Sequence, residues 1–175
     1  ILIGGRLDKH NMVDNVIFSP RANLRFNPTQ NINLRLSYSS GFRAPQAFDE
    51  DMHIENVGGT VAMIERAKDL KEEKSQSFSA SADMYHRFGA FQTNLLIEGF
   101  YTRLTDVFVL GEPYDRGDGI LVKTRSNGPG AKVMGLTLEG KVAYLSILQI
   151  QAGLTLQRSR YDEPHKWHDD APAEK

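Results

Sequence analysis

The chain has no cysteine among its 175 residues, which excludes disulfide scaffolds, thiolate metal centres and cysteine nucleophiles together. It also lacks any apolar run approaching the roughly 20 residues a membrane helix requires, and its mean hydropathy is -0.42. That absence removes helical spans only. A strand with one lipid-facing and one wet face averages to a soluble-looking hydropathy. Neither sign of charge dominates: 21 Lys and Arg against 22 Asp and Glu leave a net charge of -1. No global field therefore draws the chain to nucleic acid or to an anionic surface. No G-x-S-x-G, no H-E-x-x-H and no paired-carboxylate setting is present, so nothing supports an enzyme or a bound cofactor. The first residue is Ile1, with no initiator Met and no basic n-region; removal of a leader and excision from a longer chain would both account for this, and excision is the expectation.

What the chain has is period-two alternation, the mark of strands with two different faces. In 32–38, Ile32, Leu34, Leu36 and Tyr38 interleave with Asn33, Arg35 and Ser37. Near the other end, Leu136, Leu138 and Val142 face away from Thr137, Glu139 and Lys141, and Ile150 and Leu154 from Gln151 and Thr155. Such patterning predicts strands near 1–9, 16–26, 32–40, 75–87, 92–106, 120–126 with 132–144, and 147–159. Long polar loops are expected at 41–74, 107–119 and 160–175, with a charge-rich stretch, Thr60–Lys74, able to form a helical turn or two. Tight turns at one end and long loops at the other are the asymmetry of outer-membrane barrels. The polar faces are rich in Ser, Thr, Asn, Gln, Arg and Glu but poor in Lys, as suits a wet lumen. Strands of about ten residues match the length of a tilted membrane strand. The alternative is a soluble periplasmic or secreted β-sandwich binding ligands or carbohydrate through its loops, with the apolar faces buried inside.

Several short motifs occur in series. Ser37–Pro45 reads SYSSGFRAP, preceded by Ser19-Pro20-Arg21. Asp69–Ser75 reads DLKEEKS, Gly99–Asp106 reads GFYTRLTD, and Asn127-Gly128 precedes Gly135-Leu136 and Glu139-Gly140. In this order they resemble the barrel of TonB-dependent outer-membrane receptors, with Glu72 where proline is common in the family's DLKPEKS. The match runs from about Ser19 to Arg160 and corresponds to a fragment of the later barrel.

That resemblance implies an all-β fold over 1–175: an antiparallel up-and-down meander forming a partial transmembrane β-barrel of about seven strands, with long extracellular loops. It implies a receptor in the outer membrane of a Gram-negative cell that imports a scarce nutrient. An iron chelate (siderophore or haem) comes first, then cobalamin, then glycans. The implied partners are outer-membrane lipid, the nutrient and the TonB system, reached through a plug domain. An isolated piece of such a barrel should self-associate through its open edges and apolar face.

Candidate ligand contacts lie in the loops. Arg43 precedes Pro45 at a strand end and reads first as tied to loop carboxylates, second as a contact to ligand or plug. Asp49 and Asp51 with His53 form an acidic cluster without the spacing of a calcium loop. Tyr114 and Arg116 complete the set; Arg116 belongs to a turn-forming RGD. His165 and His168 have no third ligand nearby, and no metal site is assigned.

Overall fold

The computed structural model describes residues 1–11, 13, 15–45, 62–117, 119, 121–145 and 147–164. These form eleven strands in chain order. They are β1 (Leu2–Asp8), β2 (Ile17–Thr29), β3 (Ile32–Arg43), β4 (Ala62–Arg66), β5 (Glu73–Phe88) and β6 (Phe91–Thr105). There follow β7 (Phe108–Leu110), β8 (Tyr114–Asp115), β9 (Leu121–Asn127), β10 (Ala131–Tyr144) and β11 (Leu148–Tyr161). No helix occurs among the described residues.

Seven strands make one antiparallel sheet in the order β1-β2-β3-β5-β6-β10-β11. Its hairpins are tight at one end. Gly89 and Ala90 alone separate β5 from β6, and Gly89 takes the positive φ (59°) that glycine accepts without strain. Close to the β2–β3 turn the register shifts between Phe26 and Thr29, a stretch containing Pro28, which has no N–H to give to a ladder.

Register aligns residues of one kind into rows across the sheet, because side chains alternate with a period of two. One row runs Leu24, Leu36, Ala80, Gly99, Leu136, Leu156. The next on that face runs Phe26, Leu34, Ala82, Ile97, Leu138, Leu154. Between them, on the opposite face, lie Arg25, Arg35, Ser81, Glu98, Thr137 and Thr155. The Ser77–Thr102 and Thr137–Thr155 hydroxyl pairs, at 3.0 and 3.1 Å, stitch this polar face.

Exposure is inverted relative to a soluble domain. Phe78 is 49% exposed and Leu154 55%, whereas Ser77, Ser79 and Ser81 on the other side of β5 are half-buried. No second layer covers the apolar face among the described residues, so the interior a β-sandwich requires is missing. The accessible surface, 12836 Å², is well above the about 8,600 Å² expected of a compact protein of this mass. The small buried cluster of Val13, Ile17 and Ala44, with Phe42 against it, sits at the long-loop end.

Aromatic side chains bracket the apolar face. At the tight-turn end Phe88 stacks on Phe91, which meets Tyr144 at a tilt, with centroids 5.4 and 4.9 Å apart. On the same face Tyr38 meets Phe78 at 4.8 Å, and Phe78 is paired in register with Tyr101. Phe78 and Phe88 lie ten residues apart on β5, and so do Tyr101 and Phe91 on β6.

Three expectations need correction. Residues 120–126 do not run on into 132–144. β9 leaves the main sheet and stands at the centre of a second sheet, β4-β9-β7, with β8 also on β9. The physical reason is Gly128-Pro129-Gly130, where Pro129 cannot donate to a ladder and the flanking glycines let the chain turn before β10. Loops 41–74 and 107–119 are also not structureless, since they supply β4, β7 and β8. The helical turns expected within Thr60–Lys74 are replaced by β4, whose pairing with β9 is parallel and breaks the strict up-and-down order.

Candidate functional site

The long-loop end of the sheet is where polar side chains converge, and the second sheet is fastened to it there. β3 ends at Arg43 opposite Glu73, the first residue of β5. The Arg43 guanidinium lies 3.7 Å from the Glu73 carboxylate, and its Cζ is 4.9 Å from the centre of the Phe108 ring. The Phe108 backbone N–H donates to the same Glu73 carboxylate at 3.1 Å. Glu73 thus ties the rim of the main sheet to β7, and Arg43 is held at that junction with about half its side chain open to solvent.

Asn127 makes a second junction. Its amide Nδ2 donates to the carbonyls of Lys71 (3.0 Å) and Asp106 (2.8 Å), and its Oδ1 accepts from the Lys71 N–H (2.7 Å). One side chain therefore satisfies backbone groups of two loops. Asp106 adopts a positive φ of 55°, a conformation Asp tolerates better than most residues, and this presents its carbonyl to Asn127. The residue after Asn127 is confined to glycine: a Cβ on Gly128 would lie 2.6 Å from a Val109 methyl. Gly130 is equally confined, between the Leu104 carbonyl and the Asp162 carboxylate. That carboxylate accepts from Arg103 at 2.8 Å and so closes the rim on the β11 side.

Near this point Glu72 contacts Lys74 at 3.0 Å. Burial works against its charged form, but a backbone hydrogen bond and Lys74, with Lys71 adding its charge, outweigh it. They hold the Glu72 carboxyl below its ordinary value.

Of the ligand-contact candidates, Tyr114 and Arg116 both belong to the second sheet or its edge. Tyr114 is exposed on β8, and Arg116 approaches Glu65 of β4 at 3.6 Å. Arg43 stands apart from them, at the β7 junction. Asp49, Asp51 and His53 lie outside the described residues. No group of three His, Cys, Asp or Glu suited to a metal occurs among the described residues. Sequence reasoning missed Glu73, Phe108 and the clamping role of Asn127. The one signal in the sequence is that the motifs at 69–75, 99–106 and 127–128 are the segments that meet here.

Among the described residues of this end, no nucleophile, base and orienting group are aligned. The family model for the TonB dependent receptor-like β-barrel matches residues 1–174. The chain belongs to the TonB-dependent receptor family. Among solved structures, the siderophore receptor PirA from Pseudomonas aeruginosa superposes with a TM-score of 0.72 at 19% identity, over 91% of this chain and 31% of that one. The FrpB iron transporter from Neisseria meningitidis, in its F5-1 variant, gives 0.62 at 19% identity, over 90% and 22%. The F3-3 variant gives 0.60 at 19% identity, over 84% and 20%. No curated protein matches the chain. This TonB-dependent receptor segment thus spans less than a third of the structures it resembles, and at such identities the likeness shows the fold alone. The family consists of outer-membrane receptors and transporters of Gram-negative bacteria. Seven strands of such a barrel form an open sheet, which agrees with β1 and β11 being edges without a further partner strand among the described residues.

Proposed function

We propose that this segment forms part of the wall and outer rim of an outer-membrane receptor that imports an iron chelate, a siderophore or haem, energised by TonB through a plug inside the barrel. The observation that carries the reading is the inverted exposure of a sheet whose family match spans 1–174. The apolar face meets lipid and the polar face lines the lumen, the arrangement of porin-like barrels. The aromatic rows agree with this placement. Ten residues at ~3.4 Å each span about 34 Å. Tilted by about 35–45°, that projects to roughly 24–28 Å, close to the ~25 Å apolar band of outer-membrane barrels. The tight turns then face the periplasm, and the second sheet stands outside the cell. Iron is favoured over cobalamin by the iron transporter and siderophore receptor among the structural neighbours.

Arg43, Asp49, Asp51, His53, Tyr114 and Arg116 are the residues we assign to ligand contact, with the arginines suited to the carboxylate or hydroxamate oxygens of a ferric chelate. The test is growth of two hosts whose only receptor is the full-length protein carrying this segment, one starved of iron and supplied with ferric siderophores or haem, the other requiring cobalamin and supplied with cobalamin. Growth on an iron source, with Tyr114→Ala and Arg116→Ala together weakening ligand binding about tenfold, is the expected result. Growth restored by cobalamin alone, or by no nutrient at all, would overturn the iron assignment.

A further inference from the structure

Among the described residues of the seven-stranded wall, the apolar face carries charge in one place only. Lys74, Arg103, Lys132, Arg158 and Arg160 are the charged residues its strands set on that face, and all are cations. They stand at the long-loop end of β5, β6, β10 and β11. At the corresponding level β1, β2 and β3 carry Gly5, Pro20 and Ser40 instead. The opposite face mixes both signs, as with Arg6 and Asp8 or Glu139 and Lys141. Solvated surfaces intersperse the signs in that way; a cluster of one sign on one side of an apolar face calls for another cause.

Register sets three of these cations side by side. Arg103 stands opposite Lys132, and Lys132 opposite Arg160. One row about 10 Å wide thus holds three like charges, which repel. Arg158 lies two residues along β11, level with Tyr38, Phe78 and Tyr101. The nearby acids do not neutralise the set. Asp162 is taken by Arg103 at 2.8 Å and Glu72 by Lys74 at 3.0 Å, while Glu163, past the end of β11, pairs with none of them. Lys132, Arg158 and Arg160 form no ion pair with a described residue, and both arginines are exposed. Beside them lies apolar space. Ala80 and Gly99 occupy the middle of the Leu24 to Leu156 row, and a Cβ on Gly99 would meet nothing within 4 Å. An open recess of about 1100 Å³ sits over them, lined among others by Leu36, Tyr38, Tyr101, Leu136 and Arg158.

We infer that this corner of the wall docks one class of membrane lipid, an acylated glycolipid of the outer leaflet with more than one phosphate on its headgroup. The phosphates bridge Lys132, Arg158 and Arg160, and the acyl chains fill the recess over Ala80 and Gly99. Charge complementarity selects the headgroup. Three cations without an acid exceed the single charge of a phosphodiester, and the guanidinium forks give phosphate oxygens two-point donors. Position selects the leaflet. The row of Arg103, Lys132 and Arg160 lies two residues, about 7 Å, beyond the outer aromatic row, at headgroup depth. Arg158, level with that row, can lay its stem along the apolar surface and extend its charge outward. Width selects the number of chains. The recess runs from Leu24 on β2 to Leu156 on β11, about 24 Å at the usual strand spacing, which leaves room for several chains side by side. The inference rests on the barrel reading above, since only there does the apolar face meet lipid.

The test is native mass spectrometry of the full-length receptor, extracted from outer membranes in mild detergent, stripped of lipid and incubated with defined lipids. These are bisphosphorylated lipid A, its fully dephosphorylated form, cardiolipin and phosphatidylethanolamine. Retention of bisphosphorylated lipid A at least about tenfold above the other three is expected. Lys132→Gln with Arg158→Gln and Arg160→Gln should abolish that preference. Lys141→Gln, which removes a cation from the polar face of β10, should leave it unchanged. If the triple variant does not assemble, Arg158→Gln alone serves, with a loss of about fivefold expected. Equal retention of the dephosphorylated form, a preference for cardiolipin, or a preference that survives the triple substitution would each overturn the proposal. Phosphatidylethanolamine held as well as lipid A removes the docking site and leaves the wall in its membrane. A receptor that holds no lipid of any kind removes the barrel placement with it.

Discussion

The two sheets of this chain follow opposite rules. In the seven-stranded wall, pairing is antiparallel, neighbours are close in sequence, and the faces separate into apolar and polar rows. In the small outer sheet, β4 and β9 pair in parallel across more than fifty residues, and β7 and β8 are too short to show any period. The wall is held by its ladder and by whatever covers its apolar face. The outer sheet depends on side chains, chiefly Asn127 and Glu73, that fasten it to the rim. Regular alternation specifies register by itself; a sheet built from loop segments has to be located by individual contacts.

The largest expected difference concerns the chain alone in water. With an uncovered apolar face and two free edges, it should self-associate, and mild detergent should disperse the aggregates while the strand signal in circular dichroism persists. A compact monomer unaffected by detergent would contradict the account of the wall. Within the full-length receptor, Leu138→Arg should cost about 2–4 kcal/mol of folding stability in a bilayer, because Leu138 lies near the middle of the apolar band. Thr137→Arg, one residue away on the polar face, should change it by no more than about 0.5 kcal/mol. Equal effects at the two positions would remove the distinction between faces.

Substitutions in the outer sheet should act locally. Asn127→Ala removes three hydrogen bonds to two loops and should loosen that sheet by about 1–2 kcal/mol, seen as faster proteolytic nicking within 107–130 with the heat-stability of the barrel unchanged. Loss of barrel stability together with the nicking would mean that the two sheets are not separable. The smallest effect concerns Glu72. Because its folded pKa is lowered, its contribution is present above the ordinary carboxylate pKa and fades as pH falls through the lowered value. Amide protection at 71–74, taken relative to the intrinsic exchange rate at each pH, should fall on acidification, and Glu72→Gln should flatten that dependence.

The same contrast explains what could be read from the sequence. The wall was legible because Leu34 and Leu36 or Leu136 and Leu138 alternate with polar residues, and because Gly89 announces a tight hairpin. The outer sheet was not. Ala62–Arg66 shows no alternation strong enough to outweigh the helix-forming charges after it, and nothing local in 121–127 points to a parallel partner so distant. Non-local pairing leaves little trace in a single sequence. Arg43 could be placed at a strand end by Pro45, but its contact with Phe108 depends on that same distant packing. Asp49, Asp51 and His53 were legible only as residue types, and they lie outside the described residues.

With the wall placed in the membrane as proposed, the ten-residue interval between the aromatic rows would act as a gauge of bilayer thickness. A band of roughly 24–28 Å suits the outer membrane, which is thinner than average, and would fall short of a thick, sterol-rich bilayer. Hydrophobic mismatch then becomes a sorting criterion written into β5 and β6. Lengthening either interval by two residues would keep every side chain on its proper face, yet leave the wall fitted to a thicker bilayer than the outer membrane proposed for it.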